Sequence, residues 1–290
     1  MAASGGQYPA GPPVTTYVPD MAIRNGFISL LRMMVKDLID NRWLILQIFR
    51  RDLSAMYNQS LLGIFWAFIV PLISVGTFVL LNRAGLFEVG DVHFPYPLFA
   101  IAGIIFWQIF SQGLIGSTNS LVNAGVLINK VNFCREALVI SAIGQAIVSS
   151  LIQTCLLCIL LIHYHVLPPW TAILVPISVI PLILFTTGLG FIFSVLNAII
   201  RDVGAILSYM MMFLLFVTPV LYERPAGGFI ALLTYYNPLY YLISAPRNLL
   251  FYGTLGNGAG YFYTSIAAGV LFVFCWMVFH LSGVRIAERV

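Results

Sequence analysis

Long apolar segments separated by short polar ones dominate the chain from residue 61 onward. A transmembrane helix needs about 20 predominantly apolar residues to cross the hydrocarbon core of a bilayer. Six segments meet this requirement, and the run between Glu136 and Arg201 is long enough for two of them because it contains no Asp, Glu, Lys or Arg. The pattern predicts an all-α polytopic membrane protein with six transmembrane helices per subunit, at residues 61–81, 98–121, 137–162, 171–197, 204–222 and 261–282.

Residues 227–253 form a seventh apolar stretch, but they do not predict a straight span. Asn237-Pro238 and Pro246-Arg247 interrupt the stretch, and proline removes backbone hydrogen bonds that a helix inside lipid requires. We expect a re-entrant or interfacial helical pair on the external side, between the fifth and sixth spans.

The segment before the first span, residues 29–60, places apolar and charged positions at helical spacing. This pattern favours an amphipathic helix that lies along the cytoplasmic membrane surface. Two interpretations of its polar face remain open: an anchor that attracts anionic lipid, and part of a docking platform. Residues 1–28 are rich in Gly and Pro and are predicted to be a disordered cytoplasmic tail. Residues 61–290 are predicted to be the transmembrane domain.

The composition indicates that most of the chain lies outside water. Hydrophobic residues make up 60% of the sequence, charged residues 8%, and the mean hydropathy is +0.97, whereas an ordinary soluble domain is about 25% charged. All of the 14 Lys and Arg residues fall on one side of the predicted topology except Arg83, Arg224 and Arg247. The positive-inside rule makes the basic side cytoplasmic, so we expect both termini in the cytoplasm.

The connection between the second and third spans, near residues 122–133, is longer and more apolar than a solvated turn requires. We expect a short cytoplasmic helix that presents Val126, Leu127, Ile128 and Val131 to a partner. The alternative is that these residues are only the frayed end of the second span.

Catalytic chemistry is missing from the sequence. A nucleotide-binding P-loop requires a lysine behind a glycine-rich turn, and neither Lys36 nor Lys130 follows one. We find no catalytic base, activated nucleophile, metal-binding cluster or nucleic-acid-binding pattern, so the prediction is a transport subunit and not an enzyme. An ion-coupled carrier and a membrane-embedded glycan-modifying enzyme remain as alternatives, although no carboxylate or lysine lies deep in a predicted span.

Uncharged polar residues inside the spans are candidates for lining a passage. Those of the third span recur every four residues, from Ser141 to Gln153. Such groups either form hydrogen bonds between helices or face a water-filled path, and aromatic residues either pack helices or contact sugar rings. The candidates are Gln108, Gln112, Ser141, Gln145, Ser149, Phe106 and Trp107.

Five motifs carry a family resemblance: YNQSLLGIFWAFIVPL at 57–72, LINKVNFCRE at 127–136, NAIIRDVGAIL at 197–207, VTPVLY at 217–222 and YNPLYYLISAPRNLLFYG at 236–253. With these motifs the chain, from about Leu46 to its carboxyl end, resembles the permease subunits of ABC-2 type exporters. Within them it is most similar to the exporters of O-antigen, capsule and teichoic acid. The acidic-poor leader and the aromatic content resemble an actinobacterial branch that exports the lipid-linked galactan of the cell wall.

The resemblance implies a homodimer around a central channel in the inner membrane of a bacterium. It also implies two copies of a separate nucleotide-binding ATPase, which would bind ATP and magnesium, and no cofactor in this chain. The substrate implied is a glycan linked to polyprenyl diphosphate, taken from the cytoplasmic side of a lipid membrane and moved to the outer side.

The resemblance also implies roles for cytoplasmic residues. Residues 122–133 correspond to the coupling helix that contacts the ATPase, and the amino-terminal amphipathic helix borders the gate for the lipid-linked substrate. One departure is Cys134, which stands where the family usually has proline. The further coupling candidates are Lys130, Phe133 and Arg135, and the gate candidates are Trp43, Arg50, Arg51 and Tyr57.

Overall fold

A computed structural model describes residues 27–58, 65–85, 89–90, 93–124, 134–224 and 227–286. These ranges are mainly α-helical, which confirms the all-α prediction for the part of the chain described. In chain order the helices are α1 (Phe27–Asp40), α2 (Arg42–Asn58), α3 (Trp66–Arg83), α4 (Tyr96–Asn123), α5 (Glu136–His163), α6 (Val175–Ile199), α7 (Asp202–Val217), α8 (Phe229–Tyr236), α9 (Pro238–Phe251) and α10 (Gly258–Ile286), with a 3-10 helix at Trp170–Leu174 before α6.

Five of the described helices are long and apolar enough to cross a membrane, namely α3, α4, α5, α6 and α10. The helix in the fifth predicted span, α7, has 16 residues and ends at Val217, so the predicted helical boundary at residue 222 is wrong. The helix ends because Thr218 precedes Pro219 and adopts an extended conformation (φ −91°, ψ 124°), which the proline ring favours for the residue before it.

The single amphipathic helix predicted over residues 29–60 is two helices, α1 and α2, that meet at Asn41. The Asp37 carbonyl accepts hydrogen bonds from the backbone N–H and the side-chain amide of Asn41, at 3.1 and 2.8 Å. Side-chain bonds of this kind compete with regular helical geometry and favour a bend. The predicted tail, residues 1–28, lies outside the described residues except for Phe27 and Ile28, which begin α1.

Helix α4 forms the centre of the bundle. In its most apolar stretch 83% of the residues are buried, compared with 11% for α3 at the periphery. Small residues bring α6 close to α4, since a Cβ added at Gly190 would lie 2.7 Å from the Ser117 Cβ. Lipid tails are as apolar as these side chains, so close packing of this kind is a main source of helix association.

Residues 227–253 contain two helices, α8 and α9. Asn237 separates them and caps α9, because its side-chain oxygen accepts a hydrogen bond from the Leu239 N–H at 3.0 Å. The second predicted interruption, at Pro246-Arg247, is wrong because α9 continues through it. Both residues are buried, and packing of α9 against α4 and α6 compensates for the backbone hydrogen bond that proline removes.

Candidate functional site

The predicted coupling segment is described only where it enters α5. Val126, Leu127, Ile128, Lys130, Val131 and Phe133 lie outside the described residues. Arg135 is half-buried immediately before α5, and burial lowers the pKa of its guanidinium. The Cys134 Sγ donates a hydrogen bond to Glu136 Oε2 at 3.0 Å, and burial, reinforced by the Glu136 charge, raises the pKa of the Cys134 thiol.

A buried contact between Glu136 and His280 joins the start of α5 to α10. His280 Nδ1 lies 2.7 Å from Glu136 Oε1, and the side chains are 11% and 8% exposed. Asp37 of α1 lies close to this pair, and burial raises the pKa of its carboxyl group. Three helices therefore meet where the predicted coupling segment enters the bundle.

A cleft of about 530 Å³ lies between α2 and the first half of α5. Its walls are mainly apolar, and they include Phe49 and Ile140. Arg42 and Trp43 also line it, and Trp43 is 67% exposed. Among the gate candidates, the structure thus places Trp43 at a cavity, whereas the Tyr57 side chain lies outside the described part of the chain.

The charged side of α2 adjoins this cleft. Arg50 and Arg51 are exposed, and the Arg51 guanidinium pairs with Asp52 at 2.7 Å. Gln145 of α5 donates a hydrogen bond to Asp52 Oδ2 at 3.5 Å. Ser141, one turn before Gln145, is 2% exposed and lines the cleft.

A second, more polar cavity of about 190 Å³ lies between α2, α3, α4 and α5. Gln108 and Gln112 line it from α4, and Ser149 and Gln153 line it from α5. Trp66, the first residue of α3, forms part of its wall. The structure therefore brings together three of the predicted passage residues, Gln108, Gln112 and Ser149.

The aromatic candidates lie elsewhere. Phe106 and Trp107 are each 6% exposed and belong to the apolar core around α4. The Trp107 ring packs against Phe110 at a centroid distance of 5.6 Å. Their contacts within this chain are those of core packing.

The opposite end of the bundle is organised by Arg247 of α9, a residue that the sequence analysis treated only as a helix interruption. Arg247 is 3% exposed, and its Nη1 donates a hydrogen bond to the Val220 carbonyl at 2.7 Å. Its guanidinium carbon lies 3.9 Å from the centroid of the Phe99 ring. The Asn237 side-chain amide also binds the turn after α7, at residues 218–222, because its nitrogen donates a hydrogen bond to Thr218 Oγ1 at 2.8 Å. These contacts hold this turn against α4, α8 and α9.

The Asn197 side chain connects α4, α6 and α7. Its amide nitrogen donates to the Thr118 carbonyl and to Asn119 Oδ1 at 3.1 and 3.0 Å, and its oxygen accepts from the Gly204 N–H at 2.9 Å. A Cβ added at Gly204 would lie 2.6 Å from Asn119 Oδ1, so only glycine fits there without a rearrangement.

Sequence reasoning missed Arg247, Glu136, His280 and Asn197 as organising residues. The signal for the first three is a single ionisable group within or at the edge of an apolar segment, which is costly in a membrane unless it is partnered. The sequence signal for Asn197 is weaker, because an uncharged amide in a span either bonds neighbouring helices or lines a water-filled path. Their partners are far away in sequence and only the fold brings them together.

The lining of the two cavities indicates which kinds of ligand the described residues could bind. Within the described ranges no three His, Cys, Asp or Glu side chains are arranged to hold a metal ion. The two cavities are lined mostly by apolar, aromatic and amide groups, which bind ligands by contact and hydrogen bonding. This arrangement suits recognition of an amphipathic or uncharged polar ligand.

The chain is similar to known transport proteins. The family model described as ABC-2 type transporter matches residues 44–251. An O-antigen export system permease protein RfbA of Myxococcus xanthus is 28% identical over 190 residues, which cover 65% of this chain and 72% of that protein. Two proteins of the same name from Klebsiella pneumoniae are 29% identical over 216 residues, covering 73% of this chain and 82% of each.

Proposed function

Because the chain belongs to the ABC-2 type transporter family, we propose that it is the membrane-spanning permease subunit of an ATP-driven exporter of a lipid-linked polysaccharide. It moves its substrate from the cytoplasmic to the outer side of the plasma membrane, and a separate ATPase subunit supplies the energy. The observation that carries this proposal is the similarity to O-antigen export permeases over 73% of the chain, in a bundle of long apolar helices.

The cleft between α2 and α5 is the proposed entry gate for the lipid carrier. Its apolar walls suit a polyprenyl chain, and Arg42 and Trp43 at its lining suit a diphosphate and the membrane interface respectively. The exposed Arg50 and Arg51 add positive charge along the same helix. Cytoplasmic placement of this end follows from the distribution of basic residues.

The proposed subunit crosses the membrane six times and pairs with a second copy. The fifth crossing is α7 together with the turn that follows it: 16 helical residues span roughly 24 Å, and residues 218–222 supply the remaining length. The faces of α3 and α7 are exposed and apolar and adjoin each other where Phe78 meets Phe216 at 6.4 Å. These faces are the proposed contact with the second subunit.

Deletion of the gene and complementation with the intact chain test the transport function. We expect the deletion strain to lose a surface polysaccharide and to accumulate its lipid-linked precursor inside the cell. An unchanged surface glycan in the deletion strain would overturn the proposal. Purified chain that transports without an ATPase when placed in liposomes would instead favour an ion-coupled carrier.

A charge-reversal variant tests ATPase docking through the coupling segment. Lys130→Glu combined with Arg135→Glu is expected to reduce co-purification of the ATPase and glycan export, with unchanged abundance of the chain in the membrane. Lys36→Glu, at an exposed position of α1, is the matched control. Equal recovery of the ATPase with the double variant and with the unaltered chain would contradict this role.

A further inference from the structure

The polar cavity between α2, α3, α4 and α5 lies far from the ends of α4 and α5. Gln153 is 17 residues beyond the first residue of the 28-residue helix α5, which is roughly 26 Å along the helix axis. Gln108 lies near the middle of α4 as well. Amide groups at this depth are costly unless they are hydrogen-bonded, because lipid offers no partners.

The hydrogen bonds among the three glutamines leave one group unsatisfied. Gln108 Oε1 accepts from the amide nitrogens of both Gln112 and Gln153. Gln153 itself is 2% exposed, and its Oε1 has no partner among the described residues. This buried acceptor belongs to a residue that lines the cavity, so a hydroxyl or amide donor placed there would satisfy it.

The cavity is too large for a single bridging water. Its volume of about 190 Å³ compares with about 30 Å³ for one water molecule in the liquid. Every residue that lines it is uncharged, and the lining combines amides with the Trp66 indole and the Pro71 ring. Flat apolar surfaces beside planar amides fit a ring that has apolar faces and hydroxyl groups at its edge.

We propose that this cavity is a binding subsite for one neutral sugar residue of the glycan that passes through the subunit. The sugar hydroxyls bond the amides of Gln108, Gln112 and Gln153, and one ring face contacts Trp66. Since no cation lines the cavity, it disfavours an anionic sugar such as a uronic acid or a sugar phosphate. This inference rests on the proposed function and adds the class of sugar and the residues that contact it.

A pair of leucine substitutions separates binding from packing. In Gln108→Leu combined with Gln153→Leu, both partners of a buried hydrogen bond become apolar, so the thermal stability of the purified subunit is expected to change little. Export of glycan to the cell surface is expected to fall at least tenfold, because both substitutions remove hydrogen bonds to the sugar and each such bond is worth up to about a factor of ten. Thr154→Val is the matched control: its hydroxyl donates a hydrogen bond to the Ser150 carbonyl on the same helix, and export should remain normal.

Crosslinking in the living cell tests the contact without altering the glutamines. A diazirine-bearing amino acid replaces Val70, which lines the cavity, or Ile177, an exposed apolar residue of α6 that does not. After irradiation, we expect a glycan adduct, detected by periodate oxidation and hydrazide labelling of the purified subunit, at position 70 and not at position 177.

The outcomes distinguish the subsite from the transport function. A strain whose surface glycan depends on this chain, but in which the double leucine variant exports normally and position 70 gives no adduct, would overturn the subsite alone. An adduct carrying only acidic sugars would overturn the assignment to a neutral residue. Surface glycan that does not depend on the chain at all would overturn both proposals.

Discussion

Arg247 binds the backbone carbonyl of Val220, and the same carbonyl lies in close contact with Gly103 of α4. The Arg247 Nη1 donates to the Val220 carbonyl at 2.7 Å. The same carbonyl oxygen would lie 2.3 Å from a Cβ added at Gly103. The Arg247 guanidinium on one side and Gly103, which has no side chain, on the other therefore fix the turn that follows α7.

Replacement of Arg247 is expected to destabilise this end of the bundle. Arg247→Met removes a charged hydrogen-bond donor and leaves the buried Val220 carbonyl unpaired, which should cost roughly 2 kcal/mol. Arg247→Lys should recover only part of that loss, because an ammonium lacks the planar fork of the guanidinium. Thermal unfolding of the purified subunit in nanodiscs measures both effects.

Arg224→Met is the control for the removal of a positive charge near the same end. Arg224 is exposed and contacts the rings of Tyr235 and Tyr240 at 5.7 and 5.8 Å. Exposed cation–π contacts are worth about 0.5–1 kcal/mol, so this variant should unfold close to the unaltered chain. An equal loss in the Arg224 and Arg247 variants would show that overall charge, and not the contact with Val220, matters.

A methyl group at position 103 should disturb the same contact from its other side. Gly103→Ala places the Cβ against the Val220 carbonyl, and relief of that clash should cost roughly 1–3 kcal/mol. Gly269→Ala, in α10, has no atom within 4 Å of the added Cβ and should be neutral or stabilising by up to about 1 kcal/mol, since alanine favours helices. Thermal unfolding of the two variants side by side checks the expectation. Equal midpoints would contradict the close approach.

The sequence predicts the helical fold class, and five of the six predicted spans contain long apolar helices, because hydropathy and the length of a bilayer-spanning helix are local properties of the chain. It also predicts the separation of α8 from α9, since Asn237-Pro238 carries both a helix cap and a helix starter. The predicted end of the fifth span lies five residues beyond the end of α7 at Val217, because apolar composition alone sets no boundary, although Pro219 contains the signal.

The cavities depend on contacts that no single segment specifies. Gln108 and Gln153 lie in different helices, and nothing in either helix indicates which turn faces the other. Phe106, a core residue, and Gln112, a cavity-lining residue, lie within two turns of each other on α4. Composition alone does not indicate which of the two faces the core. Tertiary packing decides between core and lining positions, so the sequence alone is compatible with both.

Asn197 is expected to be important for the position of α7. Asn197→Ala removes hydrogen bonds to Thr118, Asn119 and Gly204 and leaves buried groups unpaired, so it should destabilise the subunit by roughly 2–3 kcal/mol. Asn123→Ala, at the exposed end of α4, should have little effect. The midpoints of thermal unfolding in nanodiscs provide the comparison. Identical midpoints for the two variants would contradict the connecting role of Asn197.

The Cys134 thiol should react slowly with maleimide. Its reaction rate should continue to rise with pH above the pH at which the rate of an ordinary cysteine levels off. Its pKa is raised by burial and by the Glu136 charge, and the thiolate is the reactive form. At a pH near the ordinary cysteine pKa the thiolate fraction is therefore low, and the rate should still be rising there. Labelling of a chain with Cys155, Cys158 and Cys275 changed to serine, followed by mass spectrometry, isolates this site.

Two substitutions at the contact between Glu136 and His280 separate two causes of slow Cys134 labelling: the negative charge of Glu136 and the limited access of maleimide to the thiol. Glu136→Gln removes the negative charge beside the thiol, which lowers the Cys134 pKa and should accelerate labelling several-fold. His280→Gln breaks the same 2.7 Å contact but keeps that charge, so it should give no such acceleration. If both variants sped labelling equally, loosening of the helix contact would explain the rate, and the Glu136 carboxylate would not be what holds the thiol protonated.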